Sequence, residues 1–125
     1  IIQSASLSLL TDEIIVGYEA PFPDRTYKAG AHQLPLLVPT SPDNVASDTF
    51  RKARGFFKEW TKPAFVLFSD SDPITAGGDR WFRKLIPSAG EEPELKIAGG
   101  GHFLQEDKGE EIAERIVEFI ARRPV

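Results

Sequence analysis

Residues Ala64-Phe65-Val66-Leu67-Phe68 form an apolar run with no polar residue at either alternate position. A strand on the outside of a sheet alternates apolar and polar side chains. A run without alternation needs cover on both faces, as in a parallel sheet under helices. The chain downstream is patterned to meet that need. Thr75 to Gly78 leads into a helix with Trp81, Phe82, Leu85 and Ile86 on one side, which Pro87 and Gly90 are expected to end. Leu95-Lys96-Ile97-Ala98 reads as the next strand. A final helix is expected from about Glu106 to Arg122, with Ile112, Ala113, Ile116, Val117 and Ile120 as its apolar face. Glu111 with Arg115, and Glu118 with Arg122, are spaced as helix-favouring charge pairs. Arg122 and Arg123 suit the negative helix end, and Pro124 is the expected stop.

Strand, helix, strand, helix is a crossover unit, which makes the two strands parallel. The loops after both strands then leave from one edge of the sheet, the edge where open α/β sheets bind ligands. Ser69-Asp70-Ser71-Asp72-Pro73 follows the first strand, and Gly99-Gly100-Gly101-His102-Phe103 follows the second. Neighbouring strands are about 4.8 Å apart, so an acid from one loop can meet the histidine of the other. Either Asp70 or Asp72 can serve. Such a carboxylate fixes the imidazole tautomer and stabilises its protonated form, the part an acid plays in a nucleophile–His–acid triad. The plainer alternatives are an acid that only caps the next helix and a loop histidine that only hydrogen-bonds.

Two parallel strands do not make a stable sheet by themselves. The run 64–68 calls for neighbours and helical cover that residues 1–60 cannot fully supply. A Gly-x-Ser-x-Gly elbow is absent, and no Ser, Thr or Asp precedes this unit at a strand-to-helix turn. The nucleophile is therefore expected outside these residues. The chain of 125 residues contains no methionine, even at position 1, and reads as a fragment or processed piece of a longer protein.

Upstream, residues 1–10 read as the tail of a helix. Thr11-Asp12-Glu13 is a helix start, a capping hydroxyl followed by acids in the first turn. That helix is expected to stop near Glu19, because Pro21 and Pro23 follow. Ala20-Pro21-Phe22-Pro23-Asp24 is a stiff connector, with Phe22 either filling a core gap or walling an apolar pocket. Tyr27 to Val38 reads as a helix, interrupted or bent at Pro35. Ser47 to Trp60 reads as another, with Phe50, Ala53, Phe57 and Trp60 as a core-facing stripe.

Charge excludes some functions. Fifteen basic and nineteen acidic residues leave a net charge of −4, which offers nucleic acid no general attraction. There is no cationic stripe for a membrane surface and no apolar run long enough to span one. No signal peptide is evident, and a cytoplasmic home is expected. The absence of cysteine excludes disulfides and thiol catalysis, and His32 and His102 alone make no metal cluster.

The sequence resembles the C-terminal part of haloalkane dehalogenases of the α/β-hydrolase fold, in the branch whose acid lies one strand before the histidine. The resemblance covers nearly the whole chain. Tyr18-Glu19-Ala20-Pro21-Phe22-Pro23-Asp24 and Tyr27-Lys28-Ala29-Gly30 resemble the segment leading from the helical cap back to the core. Ser71-Asp72-Pro73-Ile74 resembles the acid loop, and Gly101-His102-Phe103-Leu104-Gln105-Glu106 the histidine loop. The resemblance implies parallel strands with crossover helices, with residues 1–30 as the end of the cap and 31–125 as the C-terminal part of the core. It implies Asp72 as the catalytic acid and His102 as the general base. Phe22 and Pro23 would line the halide end of the pocket, with Ile74 and Thr75 beside the acid and Phe103 beside the base. It implies hydrolysis of a small halogenated aliphatic substrate through an aspartyl ester, with no cofactor and no metal. The nucleophilic aspartate and both halide-binding tryptophans would belong to the missing N-terminal part of the same fold; Trp60 and Trp81 do not match those positions. Two alternatives stand beside this reading. One is an epoxide hydrolase of the same fold, using Tyr18 or Tyr27. The other is an inactive fragment that self-associates through exposed apolar faces.

Overall fold

The structure, a computed structural model, describes residues 2–123. The expected stop at Pro124 lies outside the described residues. The chain divides into two compact units, Ile1–Leu10 with Lys58–Val125, and Thr11–Phe57.

The first unit contains helix α1 (Ile2–Ala5) and then, after residue 58, the crossover unit. Its order is β1 (Phe68–Ser69), α5 (Gly78–Leu85), α6 (Pro87–Glu91), β2 (Lys96–Ile97) and α7 (Leu104–Arg122). The strands are parallel, with Phe68 opposite Lys96 and Ser69 opposite Ile97. The Asp70 amide adds one more rung by donating to the Ile97 carbonyl at 3.1 Å. Both loops thus leave the same edge of the sheet.

The paired ladder is much shorter than the apolar run. Residues 64–67 lie outside the ladder, and only Val66 among them is buried. A strand is defined by its ladder, and β2 reaches alongside only at Phe68 and Ser69. The core of this unit is Leu10, Val66, Ile86, Ala89 and Ile97. Ile97 is 1% exposed, and its burial stabilises the unit by about 2 kcal/mol. Aromatic contacts extend the core, with Phe65 stacked on Phe119 at 5.1 Å and Phe68 beside Phe82 at 6.3 Å.

The helix after the acid loop ends at Leu85, one residue earlier than its apolar face suggests. Ile86 precedes Pro87 and adopts the extended conformation that a following proline favours. Pro87 then opens α6 instead of only closing α5, and Gly90 lies inside α6. Arg83 ties this corner by donating to the carbonyls of Ala89 and Glu92 at 3.0 and 2.7 Å.

Helix α7 begins at Leu104 and is kinked at Lys108, which has φ −143° and ψ 34°. Arg115 lies 3.9 Å from Glu111, the expected pair. Arg122 departs from expectation: it reaches the buried Glu92 at 3.4 Å, joined there by Arg123 at 2.7 Å. A buried carboxylate is costly without compensating charge, so it draws both guanidinium groups inward. Ile116, Val117 and Ile120 on the apolar face of α7 are exposed. Periodicity identifies a face fit for burial; it does not supply the element that buries it.

The second unit is helical: α2 (Asp12–Glu19), a 3-10 turn (Arg25–Lys28), α3 (Ala29–Gln33), a second 3-10 turn (Leu34–Leu37) and the start of α4 (Ser47–Lys58). The Thr11 hydroxyl accepts the Ile14 amide at the start of α2. The helix expected over 27–38 is interrupted at Pro35, as one of the two alternatives had it, and is further divided into three short pieces. Pro35 supplies no amide to an α-helical ladder and opens the second 3-10 turn. The stripe expected to pack in the core is largely outside it: Phe50 and Ala53 are exposed, and Phe57 is half-buried. Trp60 lies beyond the end of α4, half-buried in the first unit.

Candidate active site

The acid loop and the histidine loop meet at the sheet edge. His102 Nδ1 lies 3.1 Å from Asp72 Oδ2. Asp72 is 9% exposed, and its other contacts aim it. The Ile74 amide donates to Oδ1 at 2.8 Å, and the Thr75 hydroxyl donates to Oδ2. Burial works against charge on this carboxyl. The Thr75 hydroxyl, His102 and the Ile74 and Thr75 amides outweigh it, holding the pKa at about 2 against an ordinary 3.8. The group is a carboxylate at neutral pH. A carboxylate on Nδ1 keeps the N–H of neutral imidazole at that nitrogen and leaves Nε2 as the basic position.

Asp70, the other candidate acid, is turned away to a different task. Its Oδ1 accepts the Gly99 amide and the Ser71 hydroxyl, each at 2.9 Å. These bonds, the Ser71 hydroxyl first, hold its pKa below the ordinary value. Asp70 therefore shapes the turn that leads to the histidine. Gly99 has φ +69°, the left-handed conformation that suits glycine.

The other side of the histidine loop rests on the start of the chain. The Ala5 carbonyl accepts the amides of His102 and Phe103 at 2.8 and 3.1 Å. Asp107, in the first turn of α7, accepts the Leu7 and Gly101 amides on Oδ2 at 3.0 and 2.7 Å, and the Ser8 amide on Oδ1 at 2.7 Å. Burial again opposes the charge. The Leu7, Ser8 and Gly101 amides prevail and hold Asp107 at about 2. In the sequence Asp107 is one of several acids at a helix start, with nothing local to mark its partners. The segment 5–8 carried no periodic signal at all, so this junction was not foreseen.

Of the expected pocket residues, Ile74 is exposed and Thr75 is spent on Asp72. The Phe103 ring stands edge-on to the imidazole at 5.3 Å between centroids. Phe22 and Pro23 belong to the second unit, where the Lys28 ammonium lies 5.6 Å from the Phe22 ring centre. Among the described residues, no group of three or more His, Cys, Asp or Glu side chains is placed to hold a metal ion.

No family model matches the chain. Curated proteins do. A haloalkane dehalogenase of Psychrobacter cryohalolentis is 51% identical over 123 residues, covering 98% of this chain and 41% of the relative. The chain is similar to part of this dehalogenase. A haloalkane dehalogenase of Mycolicibacterium paratuberculosis is 41% identical over 95% of the chain and 39% of its own length. One from Mycobacterium marinum is 45% identical over 82% of the chain and 34% of its own length. The chain thus spans about two-fifths of the length of the first two dehalogenases. Among the described residues, no helix is long and apolar enough to cross a membrane.

The carboxyls of Asp72 and Asp107, each held at about 2, make this corner acid-sensitive. Each pKa is lower in the folded state than in the unfolded chain, so each contributes stability that is fully present above about pH 4. That contribution is lost as pH falls through 2. It amounts to roughly 2 to 3 kcal/mol at most for each group. Thermal unfolding followed from pH 5 to pH 2 should show Tm falling most steeply below pH 4. A flat Tm across that interval would contradict the assignment.

Proposed function

We propose that this chain supplies the acid and base of a hydrolytic haloalkane dehalogenase, on the C-terminal part of an α/β-hydrolase fold. The observation that carries the reading is the 3.1 Å approach of His102 Nδ1 to Asp72 Oδ2, at one edge of a parallel pair of strands. An aspartate from the N-terminal part of the fold attacks the carbon bearing the halogen, forming an ester and releasing halide. His102 Nε2 then takes a proton from water as the water attacks the ester carbonyl. Asp72 stabilises the imidazolium so formed. Collapse of the intermediate releases the alcohol and restores the aspartate; the proton passes from His102 to solvent. The sum is R–X plus water giving R–OH, halide and a proton.

The chemistry requires no metal or cofactor. A mostly apolar pocket suits it, because a weakly hydrated carboxylate attacks better. Phe22, Pro23, Ile74, Thr75 and Phe103 belong to that pocket in this reading; for Phe22 and Pro23 the support is the resemblance alone. The assignment of residues 1–30 to the cap and 31–125 to the core has the same footing. The exposed apolar face of α7 and the two-stranded sheet accord with a larger sheet in the complete protein.

The full-length protein, given 1-bromobutane, should release bromide; given 1,2-epoxybutane, it should form no diol. The isolated 125 residues should release no bromide above background, because the attacking aspartate is elsewhere. Diol formation without bromide release would replace this reading by the epoxide hydrolase. Turnover by the isolated chain, abolished by His102→Ala, would show that it contains its own nucleophile.

A further inference from the structure

Asp107 stands outside the acid–base pair yet governs the backbone that carries it. Its two oxygens take three main-chain amides, from Leu7, Ser8 and Gly101. Two of those amides lie about a hundred positions away in sequence, and the third belongs to the residue immediately before His102. The kink at Lys108 sets Asp107 in a short first turn that faces back toward the glycines. Space at the junction is as tight as the bonding. A Cβ placed on Gly101 would stand 2.7 Å from the Ala5 carbonyl oxygen and 3.2 Å from Asp107 Oδ2. That same Ala5 carbonyl holds the His102 and Phe103 amides. The loop is therefore braced from both sides at its base: by Asp70 at Gly99, and by the segment 5–8 with Asp107 at residues 101–103.

We propose that Asp107 is a positioning residue for His102, clamping the histidine loop to segment 5–8 so that the imidazole keeps its place during ester hydrolysis. The proposal rests on the dehalogenase reading above. It assigns Asp107 no contact with substrate. Its effect falls on the step in which His102 moves a proton, and leaves the earlier attack of the nucleophile alone. Asparagine is the informative substitute. It retains the shape of aspartate, but only one of its two ends can accept amides. It can serve Ser8, or Leu7 and Gly101, but not both.

The test uses the full-length protein and 1-bromobutane. In Asp107→Asn, bromide release in the first turnover should keep the wild-type rate, while ester hydrolysis slows roughly tenfold or more. Then kcat and KM fall together, kcat/KM is retained, and the alkylated enzyme accumulates in the mass spectrum. Loss of general stability does not produce that split. Hydrolysis at the wild-type rate, or equal loss of both steps, would overturn the proposal while leaving the dehalogenase reading intact. Absence of bromide release by the wild type, with no adduct on His102→Gln, would overturn both. If Asp107→Asn does not accumulate as folded protein, hydrogen exchange of the wild type decides. Peptides spanning 5–8 and 100–103 should open at one shared rate, and independent exchange of the two would overturn the clamp.

Discussion

In full-length protein, His102→Gln should leave one enzyme equivalent of covalent ester after exposure to 1-bromobutane, with the first turnover of bromide intact and steady-state turnover lost. Attack on carbon needs a carboxylate and a pocket, neither of which His102 provides. Hydrolysis needs a base for water, and glutamine cannot accept that proton. General-base assistance contributes about 10²–10⁴-fold. Loss of turnover by about that factor is expected, because the ester cannot clear. Asp72→Asn should show the same trapped ester with a smaller effect. Its amide can donate toward Nδ1, which favours the wrong tautomer and no longer stabilises the imidazolium. It also loses an acceptor for the Ile74 amide or the Thr75 hydroxyl, both of which Asp72 takes. Intact-mass spectrometry after quenching reads both variants. Rapid clearing of the adduct in His102→Gln would remove His102 from the role of base.

The second large effect is expected from Gly101→Ala, a substitution that touches no reacting group. The added Cβ meets the Ala5 carbonyl oxygen at 2.7 Å, which a real Cβ does not tolerate, so backbone must move. The atom displaced is the acceptor for both His102 and Phe103 amides. Overpacking of this kind costs about 1–3 kcal/mol. Ester hydrolysis should fall by roughly a hundredfold, as for an ångström-scale misplacement of a catalytic group. Denaturant unfolding measures the first quantity and single-turnover hydrolysis the second. Wild-type values for both would mean that the chain start does not brace the histidine loop in solution. This result and Asp107→Asn probe one junction from opposite sides, and their effects should be less than additive in the double variant.

The legible parts of the molecule were those with local causes. Thr11 caps α2 because a hydroxyl three residues before an amide is a matter of a few bonds. The order β1, α5, β2, α7 followed from hydrophobic patterning, and with it the shared edge that carries Asp72 and His102. Even there, the extent of the ladder was overestimated, since apolar character over 64–68 says nothing of how many residues find a partner. The same reason applies to α7 and to Phe50: an apolar face was readable, its cover was not.

The residues alone left Asp70 and Asp72 as equal candidates; only the family resemblance favoured Asp72. The fold separates them by giving Asp70 the Gly99 amide and Asp72 the imidazole. Arg122 turns from its helical neighbour to Glu92 because burial of that carboxylate demands it, a condition no local spacing expresses. Sequence alone determined which residue types stand at the sheet edge, because strand and helix periods act over a few positions. Tertiary structure decided which of them bond, and docked Ala5 to Ser8 on the histidine loop. Contacts spanning about a hundred residues depend on how the whole chain closes, and no short window of residues records that.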